Sequence, residues 1–184
     1  MSESRKLQQS DSGNLSNDSP ISNAYFLTMG VKNGDFLFGS VVNEEVQLNF
    51  VGKMICSEWK KLPEEFSGLQ LDEFIVMPNH FHAVILFEDQ SARDDPLFHA
   101  HPLTVAEVVA VFKANTKKAY LADVEEMGWS MFHFRLWERS YFDRPLRTKG
   151  ELAYARKYIL ENPKHWHRDW ENPDWLEGKS WNFK

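Results

Sequence analysis

The amino-acid sequence predicts an α+β fold in which helices pack on an antiparallel sheet. Runs rich in aromatic and β-branched residues, typical of strands, occur at residues 25–31, 69–77 and 80–87. Between these runs, apolar residues recur at spacings of three and four, which indicates amphipathic helices. Tight-turn dipeptides, Asn33-Gly34 and Pro78-Asn79, follow two of the predicted strands and favour antiparallel pairing of neighbouring strands.

Composition limits the classes of function that the chain can serve. The 184 residues are 42% hydrophobic, which is ample for one core. The net charge of −6 argues against a surface covered in nucleic acid, so contact with phosphate requires a local basic patch. The single cysteine, Cys56, fits the reducing cytoplasm, and no apolar run approaches the ~20 residues that span a bilayer. Residues 1–23 are polar and predict a disordered leader without a secretory signal.

The first half of the domain is predicted from its turns and its periodicity. Asn33-Gly34 stands between residues 25–31 and 36–42, and this dipeptide is a strong hairpin signal, so we expect these two runs to pair. One apolar face then predicts a helix that ends at Pro63; its members are Leu48, Val51, Ile55, Trp59 and Leu62.

Two histidines open the strand at residues 80–87. Alternation along a strand sends His80 and His82 to one face and Phe81 to the other. Two imidazoles at this spacing can bind one divalent cation if a third ligand arrives from elsewhere. A lone His-x-His pair is more often a pair of polar residues on a half-exposed face. The adjacent turn predicts an accessible position near the edge of the sheet.

Residues 88–121 are predicted as a polar loop followed by a helix. The loop contains a second pair, His99 and His101, which we interpret as solvent-exposed. Thr104 and Glu107 form a capping box that opens a helix running to about Leu121. Its inward stripe is Val105, Val108, Val109 and Phe112, and its later turns carry Lys113, Lys117 and Lys118. These lysines either complement the helix dipole or face phosphate, and the sequence does not separate the two.

A basic and aromatic segment follows. Residues 135–157 contain seven basic and three acidic residues, a local charge of +4. Arginine mixed with aromatic residues is typical of surfaces that bind single strands by phosphate contacts and base stacking, although many of these rings could instead pack in the core. The candidate DNA-binding residues are Arg135, Arg139, Arg144, Arg147 and Lys149, together with Lys113 and Lys117.

The last predicted helix places three polar side chains on one stripe. Thr148 and Glu151 form its capping box, and Asn162-Pro163 is expected to end it. Its inward residues are Leu152, Ala155 and Ile159, and the adjoining stripe at successive i+4 positions is Tyr154, Tyr158 and Asn162. The Trp-rich tail, residues 164–184, is expected to lie over the domain or on a partner.

Three stretches together resemble a known family. Residues 77–82 (MPNHFH), 137–143 (WERSYFD) and 158–163 (YILENP) resemble the single-tyrosine HUH transposases, especially the REP-associated tyrosine transposases. The resemblance runs from about Tyr25 to Pro173. It implies a ferredoxin-like or RRM-like sandwich, with residues 24–163 as the catalytic domain. Arg144-Pro145 stands where many relatives have histidine, and Asn162 stands where insertion-sequence members often have glutamine.

The resemblance also implies a mechanism and a substrate. His80 and His82 would hold Mg²⁺ or Mn²⁺, with Asn162 completing the metal site, and Tyr158 would attack single-stranded or hairpin DNA to form a 5′-phosphotyrosine. The enzyme would be either a homodimer whose tyrosine helix acts in trans or a monomer with a cis site.

Two other functional classes remain open from the residues. A catalytically silent, RRM-like module would bind single-stranded nucleic acid through sheet aromatics. A metal-dependent hydrolase would use His80 and His82 together with His99 and His101. Because Tyr154 and Tyr158 share one helix stripe, composition alone does not choose between these two phenols.

Overall fold

The protein folds around a four-stranded antiparallel sheet, as the sequence predicts. The computed structural model describes residues 18–88, 102–127, 135–169 and 171–172. Its main strands are β1 (Pro20–Gly30), β4 (Leu69–Val76), β5 (His80–Phe87) and β6 (Phe142–Thr148), in the spatial order β4-β5-β1-β6. The remaining elements are β2 (Gly39–Val42), β3 (Glu45–Leu48), α1 (Phe50–Glu65), α2 (Val105–Met127) and α3 (Lys149–His165). This is the β-α-β-β-α-β arrangement of ferredoxin-like domains.

The predicted hairpin across Asn33-Gly34 is wrong. β1 pairs with β5 on one side and with β6 on the other, so neither edge of β1 is free for residues 36–42. Both turn residues do have positive φ angles, 65° and 72°, but they belong to a single 3-10 turn that redirects the chain. The hairpin forms instead between β2 and β3 across Asn43-Glu44, whose φ angles of 52° and 64° suit a two-residue turn.

Helices α1 and α2 cover one face of the sheet. Their inward residues include most of those predicted from the periodicity, among them Ile55, Trp59 and Phe112, which are buried against Phe81. The prediction that Leu48 shares the same helix face is wrong, because Leu48 lies in β3 before α1 begins. The Trp59 ring lies 4.8 Å from the Phe81 ring and 5.0 Å from the Phe112 ring. Gly52 allows α1 to approach the chain before β2, because a Cβ there would lie 2.3 Å from the Phe38 carbonyl oxygen.

Helix α3 covers the opposite face. Leu152, Ala155 and Ile159 are buried against Val84 and Leu146, which confirms the predicted inward stripe. The Thr148 hydroxyl accepts a hydrogen bond from the Glu151 amide at 3.1 Å, as expected of the N-cap residue in a capping box.

Several element boundaries differ from those predicted, and α2 continues past Leu121 to Met127. β1 begins at Pro20, so residues 20–23 belong to the sheet, while residues 1–17 lie outside the described residues. α1 continues past Pro63 to Glu65, and α3 continues past Pro163 to His165. A proline removes one hydrogen bond of the helix. Both prolines lie in the last turn, two residues before the helix ends. None of the described helices has the length and apolar character needed to cross a membrane.

Candidate active site

His80 and His82 lie at the start of β5, where the strand leaves the Pro78-Asn79 turn. In the register of β1 and β5, His80 pairs with Gly30 and His82 with Thr28. Their side chains point to the face covered by α3, and they are only 0% and 3% exposed. The prediction of an accessible pair is therefore wrong. β5 is an interior strand, and α3, Trp166 and Asp169 cover this part of the sheet.

Each imidazole is oriented through its Nδ1 atom. The Nδ1 of His80 lies 3.0 Å from Oδ1 of Asn79, which can only accept, so this nitrogen carries the proton. The Asn79 amide nitrogen in turn donates to the carbonyl oxygens of Gly34 and Glu171. The Nδ1 of His82 lies 2.8 Å from the Thr28 hydroxyl. Such contacts orient the ring and leave Nε2 to act as a ligand.

The opposite sides of these rings have no protein donor. Within the described part of the chain, four buried side-chain polar atoms have no hydrogen-bond partner, and three belong to this site: Nε2 of His80, Nε2 of His82 and Oδ1 of Asn162. The fourth is the indole nitrogen of Trp59, in the core. The His80 and His82 rings lie 4.5 Å apart, and the Asn162 carboxamide contacts His80. A buried polar atom without a partner costs about 1–3 kcal/mol, so three such atoms in one site fit a bound cation.

Asp169 adds a carboxylate to the histidine pair. One ligand atom from each of His80, His82 and Asp169 lies within 4.8 Å of the others, and Oδ2 of Asp169 is 3.8 Å from Nε2 of His80. Two imidazoles with oxygen ligands suit a divalent transition ion. The sequence reasoning missed Asp169, because nothing in the spacing of the Trp-rich tail marks it as a ligand. Asn162, the predicted third ligand, also lies at the site.

Burial keeps both imidazoles neutral. It lowers the pKa of His80 from 6.5 to about 3, and the neighbouring Asn162 carboxamide opposes this change. Burial likewise lowers the pKa of His82 to about 3; the His80 ring lowers it further, while the Asp169 carboxylate raises it. Since neutral imidazole is the form that binds metal, the pair is ready for a cation at neutral pH.

Tyr158 stands beside His82. Its ring is edge-on to the His82 ring at 5.3 Å and to the Phe26 ring at 5.8 Å, and the side chain is 40% exposed. Asn162, one turn further along α3, is buried, whereas Tyr154, one turn earlier, is 68% exposed. The structure thus brings Tyr158, Asn162 and both histidines together within a single chain.

The surroundings of Tyr158 keep its phenol protonated. Burial raises the pKa of the phenol above its usual value of 10, and the carboxylates of Asp169 and Glu171 raise it further. The Asn162 carboxamide acts in the opposite direction. A phenol placed among carboxylates remains a weak nucleophile until positive charge is supplied nearby.

The described part of the tail lies across this site; we call residues 166–172 the strap, of which Trp170 lies outside the described residues. The Trp166 ring packs between two other rings, 5.9 Å from the His80 ring and 5.6 Å from the Phe36 ring. The buried Asn172 side chain donates to the Trp166 carbonyl oxygen at 2.9 Å and closes the strap on itself.

The predicted DNA-binding residues fall into two groups. Arg144, Arg147 and Lys149 are exposed along β6 and at the start of α3. Lys113, Lys117, Arg135 and Arg139 line a cleft beside α2. Contact of either group with DNA stays a prediction. His99 and His101 lie outside the described residues, so their predicted exposure is not tested.

The chain resembles known proteins in sequence and in fold. No family model matches the chain. It is 30% identical over 155 residues to an uncharacterized protein of Haemophilus influenzae, covering 79% of this chain and 82% of that protein. Among solved structures, it resembles a REP-associated tyrosine transposase bound to a REP hairpin, with 16% identity, a TM-score of 0.50 and coverage of 90% of this chain and 74% of that one. At this identity the likeness shows a shared fold.

A weaker similarity links the chain to a candidate transposase of Deinococcus radiodurans. The identity is again 16%, with a TM-score of 0.47 and coverage of 89% of this chain and 98% of that one.

Proposed function

We propose a metal-dependent DNA strand-cleaving and strand-transferring activity for this chain, which belongs to the same family as the Haemophilus influenzae protein. The substrate is single-stranded or hairpin DNA, and Tyr158 is the nucleophile that forms a 5′-phosphotyrosine. One observation carries the proposal: the Tyr158 ring stands 5.3 Å from the His82 ring, in the site that holds three buried polar atoms without a protein partner. The fold shared with a transposase that was solved with a DNA hairpin supports the choice of substrate.

His80 and His82 would hold the divalent cation, Mg²⁺ or Mn²⁺, with oxygen ligands from Asn162 and Asp169. The unpartnered Nε2 atoms and Oδ1 of Asn162 support this set, as does the position of Asp169 within 4.8 Å of the histidine nitrogens. When bound, such a cation supplies positive charge to the non-bridging oxygens of the scissile phosphate.

In the proposed reaction, the phosphoryl group moves from the 3′ oxygen of the DNA to the Tyr158 oxygen. Tyr158 loses its phenolic proton as its oxygen forms a bond to phosphorus, and the bond from phosphorus to the 3′ oxygen breaks. The departing 3′ oxygen takes up a proton and becomes a free hydroxyl. Because the phosphodiester energy is kept in the tyrosine ester, a 3′-hydroxyl can later reverse the reaction and rejoin strands without ATP. Asn162 lies close enough to Tyr158 to orient the phenol.

The site supports action in cis. Tyr158 contacts His82 of its own chain, and the nearby Arg156 pairs with Asp72 of the same sheet, at 2.8 and 2.5 Å for its two hydrogen bonds. A trans arrangement would require α3 to leave these contacts. We therefore propose a reaction centre that does not need a second subunit.

The test compares two tyrosines on one helix stripe. The substrate is a synthetic hairpin oligonucleotide with single-stranded flanks and a label at its 3′ end. In Mn²⁺, we expect wild type and Tyr154→Phe to form an adduct that survives denaturing gels. Tyr158→Phe should form at least 100-fold less and bind the same oligonucleotide within twofold.

Each other outcome points to a different function. An adduct that persists in Tyr158→Phe contradicts the assignment of the nucleophile. Tight binding with no adduct in any variant indicates the silent nucleic-acid-binding module. Cleaved DNA without an adduct indicates a hydrolase, and the contribution of His99 and His101 would then be measured next.

A further inference from the structure

A basic cleft lies beside α2, on the layer of the fold opposite to α3. It has a volume of about 270 Å³ and is bounded by α2 and residues 135–139. Four cationic side chains line it, with one acidic side chain and an apolar floor: Lys113, Lys117, Arg135, Arg139, Glu138, Leu136 and Trp137. Leu136 and Trp137 are buried, so the charged groups stand over a surface of low polarity.

The charges of the cleft are not balanced internally. Its one acid, Glu138, is paired with Lys32 outside the cleft at 2.9 Å and accepts a hydrogen bond from the Asn33 amide. Among the described residues, no carboxylate forms an ion pair with Lys117, Arg135 or Arg139. In a chain of net charge −6, such a concave cluster is where an anion would concentrate.

Lys113 has a structural part in this arrangement. Its ammonium donates to the carbonyl oxygens of Glu138, Arg139 and Ser140, at 2.8, 3.3 and 3.3 Å. These three bonds use all its donors and hold the wall of the cleft against α2. Lys117 and the two arginines are exposed, so they are the groups that can reach a ligand.

The cleft opens at the same end of the sheet as the histidine pair. Glu138 donates its amide hydrogen to the Gly30 carbonyl oxygen at 2.9 Å, and Gly30 pairs with His80 across the sheet. A Cβ built on Gly30 would lie 4.0 Å from Cγ of Glu138 and 3.9 Å from Oε2 of Glu171. The wall of the cleft and the strap over the metal ligands therefore border the same residue.

We propose that this cleft binds the backbone phosphates of a single-stranded segment that continues from the cleavage site. The inference rests on the proposed function, and it adds a binding surface on the far helical layer. Guanidinium groups bind phosphate oxygens through paired hydrogen bonds, so Arg135 and Arg139 can each hold a backbone phosphate, and the proposed DNA substrate selects phosphodiesters over the carboxylates of a peptide.

The experiment removes two cleft charges and compares them with two matched charges elsewhere. The cleft variant is Lys117→Gln with Arg139→Gln, and the control is Lys53→Gln with Lys60→Gln on the exposed side of α1. All proteins also carry Tyr158→Phe and are measured in EDTA, so that no cleavage occurs. Fluorescence anisotropy then gives the Kd, as a function of salt, for a hairpin without flanks and for the same hairpin with single-stranded flanks.

We expect the cleft variant to bind the flanked hairpin about 10-fold more weakly than the control does. The slope of log K against log salt should fall by about 0.7 for each lost phosphate contact, hence about 1–2 in total. The hairpin without flanks should bind equally to both variants. Circular dichroism and urea unfolding establish that both variants are folded.

Two outcomes would overturn the proposal: equal Kd and equal salt slope for the two variants on the flanked hairpin, or an equal loss on the hairpin without flanks. The result is separable from the nucleophile assignment because binding is measured without chemistry. The cleft can fail while the Tyr158 adduct persists, and the adduct can be absent while the cleft still binds the flank.

Discussion

At the scale of single residues, the site is defined by polar atoms that the fold buries without a protein partner. Asn79 and Thr28 satisfy the Nδ1 side of the two imidazoles, and nothing in the described chain satisfies the Nε2 side. Unpaired buried atoms of this kind destabilise the metal-free protein, and buried groups with perturbed properties are common at functional sites. The same burial that makes the histidines good ligands also makes the metal-free protein sensitive to acid.

The first prediction concerns this acid sensitivity in EDTA. The folded pKa of about 3 lies below the usual value of 6.5 for both histidines, so below pH 6.5 the unfolded state binds protons that the native state does not. Stability is therefore present above pH 6.5 and is lost as the pH falls toward 3. Between pH 7 and pH 5 the loss is about 2 kcal/mol for each histidine. Urea unfolding at the two pH values measures it.

The matched variants are His82→Gln and His165→Gln. His165 is exposed at the end of α3, so His165→Gln is the control for removing an imidazole outside the site. His82→Gln should reduce that loss by about 2 kcal/mol, whatever its effect on stability at pH 7. Equal pH dependence in wild type and His82→Gln would show that the buried histidine does not titrate differently in the folded state.

At the scale of elements, α3 is held on the sheet from two sides. On one side, its own residues Ala155 and Ile159 are buried against the sheet. On the other, Arg156 donates two hydrogen bonds to the Asp72 carboxylate of β4, at the point where the pairing of β4 with β5 is irregular. The pair lowers the pKa of Asp72, chiefly through the Arg156 hydrogen bonds. These contacts fix the rotation of α3 and therefore the direction in which Tyr158 points.

The second prediction removes this anchor. Arg156→Ala should lower the free energy of unfolding by about 1 kcal/mol, because the pair is only partly exposed and its geometry is bidentate. It should also slow formation of the Tyr158 adduct about 10-fold, since misplacing a nucleophile is costly even when the fold survives. Lys157→Ala is the control, because its contact with Glu161 is 3.9 Å and solvent-exposed. Equal adduct rates in the two variants would contradict a positioning role.

Elements could be predicted where residues close in sequence determine them. The errors arise where contacts with segments far away in the sequence decide the structure. Periodicity located all three helices, and capping boxes at Thr104 and Thr148 located the starts of two. The Asn33-Gly34 hairpin failed because turn chemistry does not reveal that both edges of β1 are taken by later strands. The burial of His80 also escaped the sequence, because the covering groups come from α3 and the strap.

The candidate site shows the same division. The histidine pair and the stripe of Tyr158 and Asn162 follow from strand and helix periodicity, and the structure brings them together. Asp169 could not be found in this way, since the path of the strap depends on contacts such as that of the Asn79 amide with the Glu171 carbonyl. Local pattern predicts which residues share a face, and only the fold shows which segment crosses that face.

At the scale of the whole molecule, the site joins the centre of the sheet to a late segment of the chain. β1 and β5 form the floor of the site, α3 places Tyr158, the proposed nucleophile, beside His82, and the strap places Asp169 beside His80. A cation bound there would link three regions far apart in sequence. Metal binding should therefore report on global stability as well as on chemistry, because a ligand that binds only the native state shifts the unfolding equilibrium.

The last prediction uses this linkage and does not depend on DNA. Mn²⁺ at 100 times its Kd should raise the free energy of unfolding of wild type by about 2.7 kcal/mol, measured with urea. Asp169→Asn keeps an Oδ1 atom to accept from the Glu171 amide, as now at 2.8 Å, and removes only the charge. At the same Mn²⁺ concentration, it should lose more than half of this stabilisation, since a carboxylate ligand becomes a neutral one. Asp143→Asn on exposed β6 should keep it all. If Mn²⁺ stabilises Asp169→Asn as much as wild type, the strap does not complete the metal site, and Asn162 alone would supply the oxygen ligand.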